Sequence, residues 1–211
     1  MMRIGAVLAI VYFVGMGILL KSTSQTEVLS IGRIPQNHSI VRLHTLEGQF
    51  FCSGVVVGRH TIFTAAHCVD GADQISVRGE DGKPLGVVAK VAGANGRADF
   101  AILRGDFRRF AARPADIDPR SIMKDIQSNK RKIIACGYPW AGKLFCSTVT
   151  DRVVMNFQIA GEGSLWPGMS GGPVIDAATG HVIGVNSAMS GSKMIFTPLV
   201  EIYAALDVSP E

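Results

Sequence analysis

From Ile40 onward, β-favouring apolar residues gather in short runs separated by turn chemistry. The first six runs are Ile40 to Leu46, Phe50 to Val57, Thr61 to Ala65, Ile75 to Arg78, Leu85 to Ala92 and Phe100 to Leu103. Pairs such as Glu47-Gly48, Gly58-Arg59, Asp70-Gly71, Asp81-Gly82 and Asn95-Gly96 divide them, and each pair favours a tight reversal. A second set follows: Ile133 to Tyr138, Phe145 to Val149, Arg152 to Ile159, Pro173 to Asp176, His181 to Asn186 and Lys193 to Thr197. Two sets of short strands at hairpin spacing, with no βαβ alternation, predict a pair of antiparallel barrels or a sandwich. Leu199 to Leu206 predicts a terminal helix of about two turns. Between the two strand sets, the stretch from Asp106 to Asn129, with Pro114 and Pro119, predicts a surface connector. There is no internal repeat and no low-complexity segment.

Ahead of the strands lies a different pattern. Arg3 precedes the uncharged stretch Ile4 to Leu20, which Lys21 closes. Residues 1–24 therefore predict an export signal, either cleaved or retained as an N-terminal membrane anchor, because the apolar length falls between the two types. In both cases the charge at the start stays inside and the rest of the chain crosses. Residues 25–38 lack any period and predict a stalk or strap. Residues 39–211 remain for the folded domain, and 211 residues in all suit one compact unit.

Composition changes little. The 47% hydrophobic content, 24 glycines and 7% aromatics suit a strand-and-turn protein. The net charge of +4 reflects basic residues recurring between Arg104 and Lys132, but without interleaved aromatics for base stacking they predict a solvated linker and no nucleic-acid partner. Four cysteines, Cys52, Cys68, Cys136 and Cys146, in a chain with an export signal predict two disulfides, and three pairings are open. A zinc site lacks support, since no C-x-x-C pair exists and only His67 adjoins a cysteine. No metal and no cofactor is expected.

Three segments carry candidate chemistry. Cys52-Ser53-Gly54 is followed by Thr64-Ala65-Ala66-His67-Cys68; Asp99 heads the apolar run Ala98-Asp99-Phe100-Ala101-Ile102-Leu103; and Ser170 lies in Pro167-Gly168-Met169-Ser170-Gly171-Gly172-Pro173-Val174. Together, and in this chain order, they resemble the trypsin and chymotrypsin superfamily. The resemblance spans residues 40 to 200. It implies an all-β fold of two six-stranded antiparallel barrels, the first over about 39–105 and the second over about 130–200, with the short C-terminal helix. It also implies a serine endopeptidase acting on protein or peptide substrates, with His67 as general base, Asp99 orienting it and Ser170 as nucleophile. The amides of Gly168 and Ser170 would form the oxyanion hole, because the glycines let the backbone turn sharply enough to aim both at one point.

The same resemblance implies a Cys52–Cys68 disulfide. The family partner of Cys136 would fall near Ile175, where there is no cysteine, so Cys146 is the remaining candidate, across a hairpin through Trp140 to Lys143. The base of the primary pocket maps to Ser164 and a wall to Asn186, Ser187 and Ala188, which predicts a small or medium apolar residue before the cut. Met169 stands where zymogen-activated members carry an aspartate, and no I-V-G-G start exists, so activity without proteolytic activation is expected. The stretch Gly180 to Ala188 resembles the bacterial HtrA branch, and with Glu211 soon afterwards a stand-alone domain without a PDZ domain is expected, placed by the export signal in the periplasm or outside the cell. The main rival is a protease-fold binding module that has lost catalysis. Such modules usually replace a triad residue or an oxyanion glycine, and this chain keeps them all.

Overall fold

The computed structural model describes residues 37–95, 98–107 and 129–206. The leader expected over residues 1–24 and the strap expected over residues 25–38, except its last two residues, lie outside the described residues, as does most of the connector. Among the described residues, no helix is long and apolar enough to cross a membrane.

Among the described residues, twelve strands form two closed barrels. The first contains β1 (Ile40–His44), β2 (Phe50–Gly58), β3 (Thr61–Thr64), β4 (Gln74–Arg78), β5 (Pro84–Asn95) and β6 (Phe100–Arg104), in the order β1-β2-β3-β6-β5-β4. The second contains β7 (Ile133–Gly137), β8 (Phe145–Met155), β9 (Gln158–Glu162), β10 (Pro173–Asp176), β11 (Val182–Ser190) and β12 (Lys193–Pro198), in the order β10-β11-β12-β9-β8-β7. Every pairing is antiparallel. Helix α1 (Leu199–Leu206) follows β12 directly.

The period of two explains why several strands read as continuous apolar runs. In β6, Ala101 and Leu103 point into the first barrel, whereas Phe100 and Ile102 join a separate cluster with Ile134, Tyr138, Val185, Leu199 and Ile202 from the second half. In β7, Ile133 and Ala135 fill the second barrel while Ile134 and Cys136 face the same shared cluster. Both faces of these strands are buried, one in a barrel and one at the seam. Leu199 and Ile202 of α1 are fully buried there, so the helix caps the seam.

One expected strand is divided differently. The run Arg152 to Ile159 is not a single strand: Asn156 and Phe157 form a two-residue turn, with Met155 paired to Gln158 and Asn156 at φ 52°. The left-handed backbone at Asn156 supplies the reversal. Conversely, Phe145 to Val149 does not end before Arg152. The register shifts between Thr150 and Val153, with Asp151 at φ 46°, and this bulge lets β8 run on to Met155.

Candidate active site

Register brings two of the candidate residues together. β3 and β6 are antiparallel neighbours with Thr64 opposite Ala101, so the residues that follow β3 meet those that precede β6. His67 lies in the 3-10 turn Ala66–Cys68 and Asp99 immediately before Phe100. His67 Nδ1 is 3.0 Å from Asp99 Oδ2 and 3.1 Å from Oδ1, and the His67 backbone amide donates to Oδ1 at 3.1 Å. Asp99 holds φ 51°, a left-handed conformation costly for a non-glycine residue. The hydroxyl of Ser187 donates to Asp99 Oδ2 from the other barrel.

The electrostatics follow. Hydrogen bonding to Asp99 raises the His67 imidazole above its ordinary 6.5, against a desolvation penalty, and the charge of Asp99 adds to the rise. Burial pushes Asp99 upward, but hydrogen bonds from the His67 ring, Ser187 and the His67 amide, with the His67 charge, together hold it below 3.8. Half of the His67 side chain is exposed (49%), against 18% for Asp99, so the imidazole presents its outer edge to solvent.

Ser170 sits in the loop between β9 and β10, and the carbonyls of Gly168, Met169 and Ser170 are all hydrogen-bonded. The Gly168 carbonyl accepts from Ser53 Oγ (2.7 Å), the Met169 carbonyl from Asn186 Nδ2 (3.1 Å) and the Gly172 amide (3.0 Å), and the Ser170 carbonyl from the Ser53 amide (2.9 Å). Among the described residues, the amides of Gly168 and Ser170 have no acceptor. Gly168 holds φ 95°, and a Cβ there would come within 2.6 Å of the Tyr138 carbonyl oxygen. At Gly171 (φ 77°) a Cβ would land on Thr64 Oγ1 and the Ser53 carbonyl, so only glycine allows the loop to lie this close to β2 and β3. Ser170 Oγ donates to the Ser187 carbonyl at 3.3 Å, and no hydrogen bond joins it to His67, whose Nε2 lies 3.8 Å from Cys68 Sγ.

The candidate pocket residues differ in their surroundings. The Ser164 backbone is clamped by the buried Ser147, whose hydroxyl donates to the Ser164 carbonyl (2.8 Å) and accepts from its amide (3.2 Å). Ala188 is exposed. Asn186 is fully buried and holds the Cys136 and Met169 carbonyls, while Ser187 is turned onto Asp99. The cause is a bulge, since Asn186 pairs with Phe196 and Ala188 with Ile195, leaving Ser187 as the extra residue.

Cys52 is bonded to Cys68 and Cys136 to Cys146, with Cα separations of 6.1 and 4.1 Å. Ligand atoms of Cys52, His67 and Cys68 lie within 4.8 Å of one another, a spacing a metal ion can span. Both sulfurs are committed to the disulfide, however, and offer no thiolate.

Known proteins resemble this chain in sequence and in fold. The family model described as "Trypsin-like peptidase domain" matches residues 52–185. This chain belongs to that family. The trypsin-like domain is also 29% identical over 185 residues to a "Probable periplasmic serine endoprotease DegP-like" of Halomonas elongata, covering 80% of this chain and 36% of that protein. With a protein of the same description from Pseudomonas savastanoi pv. phaseolicola it shares 31% identity over 183 residues, covering 77% and 35%. The chain thus spans about a third of the length of these curated relatives. Among solved structures, the fold resembles the serine endoprotease from Yersinia pestis (TM-score 0.68, 17% identity, 85% of this chain and 66% of that one). It also resembles the Rv3671c protease from M. tuberculosis in its active form (TM-score 0.66, 19% identity, 83% and 84%).

Two residues of this trypsin-like domain escape sequence reading. Ser53 touches both Gly168 and, by accepting from its amide at 2.9 Å, Tyr138. Gln158 donates to Ser187 Oγ at 3.1 Å. Ser53 lies inside a quoted motif, but its hydroxyl reaches a loop more than a hundred residues away. No local signal marks Gln158.

Proposed function

We propose that the chain is a serine endopeptidase that cleaves peptide bonds through His67, Asp99 and Ser170 and an acyl-enzyme intermediate. The observation that carries this reading is the coincidence of a carboxylate-held imidazole with two free amides flanking the candidate nucleophile. In the first half-reaction Ser170 Oγ rotates off the Ser187 carbonyl, gives its proton to His67 Nε2 and attacks the substrate carbonyl carbon. The carbonyl oxygen becomes negative and is met by the Gly168 and Ser170 amides, each such donor being worth about 100- to 1,000-fold in rate. His67 returns the proton to the leaving amine as the carbon–nitrogen bond breaks, leaving the acyl group on Ser170. Water then attacks the ester by the same route and restores the hydroxyl.

Activity without zymogen cleavage is part of the proposal. Met169, beside the nucleophile, is fully buried and uncharged, so it has no charge with which to receive a new N-terminus. Export to the periplasm is supported by the names of the relatives, the two disulfides and the leader pattern of residues 1–24, which also makes a membrane anchor a candidate. A small or medium apolar residue before the cut fits the uncharged Ser164. The alternative, a catalytically silent binding module, draws on one feature, the engagement of Ser170 Oγ with the Ser187 carbonyl instead of His67.

Treating the full chain with a fluorophosphonate probe separates the two. The wild type is expected to be labelled and Ser170→Ala to remain unlabelled. A folded wild type that resists labelling would sink the enzyme reading, and labelling that persists in Ser170→Ala would move the nucleophile elsewhere.

A further inference from the structure

We propose that Gln158 is a positioning residue for the Asp99–His67 pair, acting through the hydroxyls of Ser187 and Thr197. The inference rests on the triad reading above and extends it to a residue of the second barrel that touches none of the reacting atoms. Gln158 opens β9 directly after the Asn156-Phe157 turn. β9 pairs with β12 and β12 with β11, which brings its side chain to Thr197 and to the bulged Ser187. Its Nε2 lies 3.1 Å from Ser187 Oγ and 3.4 Å from Thr197 Oγ1. Beyond them, Ser187 Oγ donates to Asp99 Oδ2 and Thr197 Oγ1 donates to the Ala98 carbonyl. Both hydroxyls are buried.

Hydrogen inventory determines the direction of this network. The Ala98 carbonyl and an ionised Asp99 only accept, so each hydroxyl spends its single proton on them. What remains on each hydroxyl is acceptor capacity, and the group that meets both must bring two donors. A primary amide nitrogen does so. Gln158 thereby satisfies two buried hydroxyls and holds both protons on the Ala98-Asp99 pair, where Asp99 keeps its left-handed backbone. An apolar residue at 158 would free each hydroxyl to rotate, and a carboxylate would compete for the protons.

The consequence is read at His67. Ser187 draws charge density from Asp99, so weakening that bond leaves the carboxylate better able to stabilise the imidazolium, and His67 then titrates higher. Among the described residues, the charged groups acting on His67 and Asp99 are each other.

The test follows the fluorophosphonate inactivation rate of the full chain, and its p-nitrophenyl acetate hydrolysis, between about pH 5 and 9. Gln158→Met is expected to slow inactivation about 3- to 10-fold and to raise the midpoint of the acid limb by about half a pH unit. Gln158→Glu, with the same reach, is expected to raise the midpoint by about one unit through its added negative charge. In a Ser187→Ala background, Gln158→Met should change the midpoint no further. Wild-type rates and midpoints in a folded Gln158→Met, or an undiminished shift in the Ser187→Ala background, would overturn the proposal. So would failure of both Gln158 variants to fold, which would make the residue a part of the barrel core alone. A wild type that is never labelled fails at the prior step, the triad itself.

Discussion

Asp99 gathers its ligands from both barrels, and the protonation behaviour of the candidate site hangs on it. The imidazole it faces is raised above 6.5, and a base must be neutral to accept the proton of Ser170. The acid limb of the inactivation rate should therefore have its midpoint above 6.5. Asp99→Asn removes the charge and presents the wrong partner to Nδ1. It is expected to lower the rate by about 10,000-fold and to bring any residual midpoint down toward the unperturbed value. A pH profile of fluorophosphonate inactivation checks both, and a wild-type midpoint below 6.5 contradicts the pairing. For stability the signs are opposite at the two groups. The raised His67 contributes below 6.5 and its contribution is lost as pH rises through the folded value. The depressed Asp99 contributes above 3.8 and its contribution is lost as pH falls through the folded value. The ion pair thus acts between those two limits, weakened by the exposure of the imidazole.

Among the elements, the β7–β8 hairpin links a covalent staple to the Ser170 loop. Cys136 and Cys146 are directly opposed in its register and bonded across it. Between them the chain turns at Pro139–Ala141, where Trp140 and Ala141 hold φ 45° and 59° and the Trp140 amide donates to the Pro167 carbonyl at 2.9 Å. Arg42 of β1 secures the same turn through the Gly142 carbonyl at 2.8 Å. Replacing both cysteines by alanine opens a loop with a sequence separation of 10, which should cost about 3 kcal/mol by chain entropy. Urea unfolding of the double variant measures that loss. Its inactivation rate should also fall, since the residue before Gly168 loses a rigid neighbour. An unchanged midpoint of unfolding would show that the hairpin holds without its staple.

Across the whole molecule, the candidate site exists only where the two barrels meet. The imidazole and carboxylate come from the first, the Ser170 loop and Ser187 from the second, and Ser53 of β2 fastens one to the other through three hydrogen bonds of 2.7 to 2.9 Å. Ser53→Ala keeps the backbone bond to Ser170 but leaves the Gly168 carbonyl and the Tyr138 amide unpaired at the seam. The expected loss is about 1–3 kcal/mol in stability. Because the Gly168–Met169 peptide would lose its anchor, the backbone that aims the Gly168 and Ser170 amides would loosen, and the inactivation rate should fall about 10- to 100-fold. Comparing unfolding with labelling separates the effects, and a stability loss with unaltered labelling would confine Ser53 to a structural role.

What the sequence by itself determined were the features written in contiguous residues. Turn pairs delimit most of the twelve strands, Leu199–Leu206 reads directly as a helix, and the short motifs around His67, Asp99 and Ser170 point to one family. Tertiary structure decided what depends on register between distant strands. A single bulge turns Ser187 onto Asp99, and another carries β8 past Asp151. Asn156 reverses the chain without the glycine that would have announced it. Ser53, Gln158 and Asn186 gain their roles only because barrel closure brings β2, β9 and β11 to the same seam. Side-chain direction flips with each one-residue shift in a strand, so pairing geometry, and not residue type, assigned these polar groups their partners.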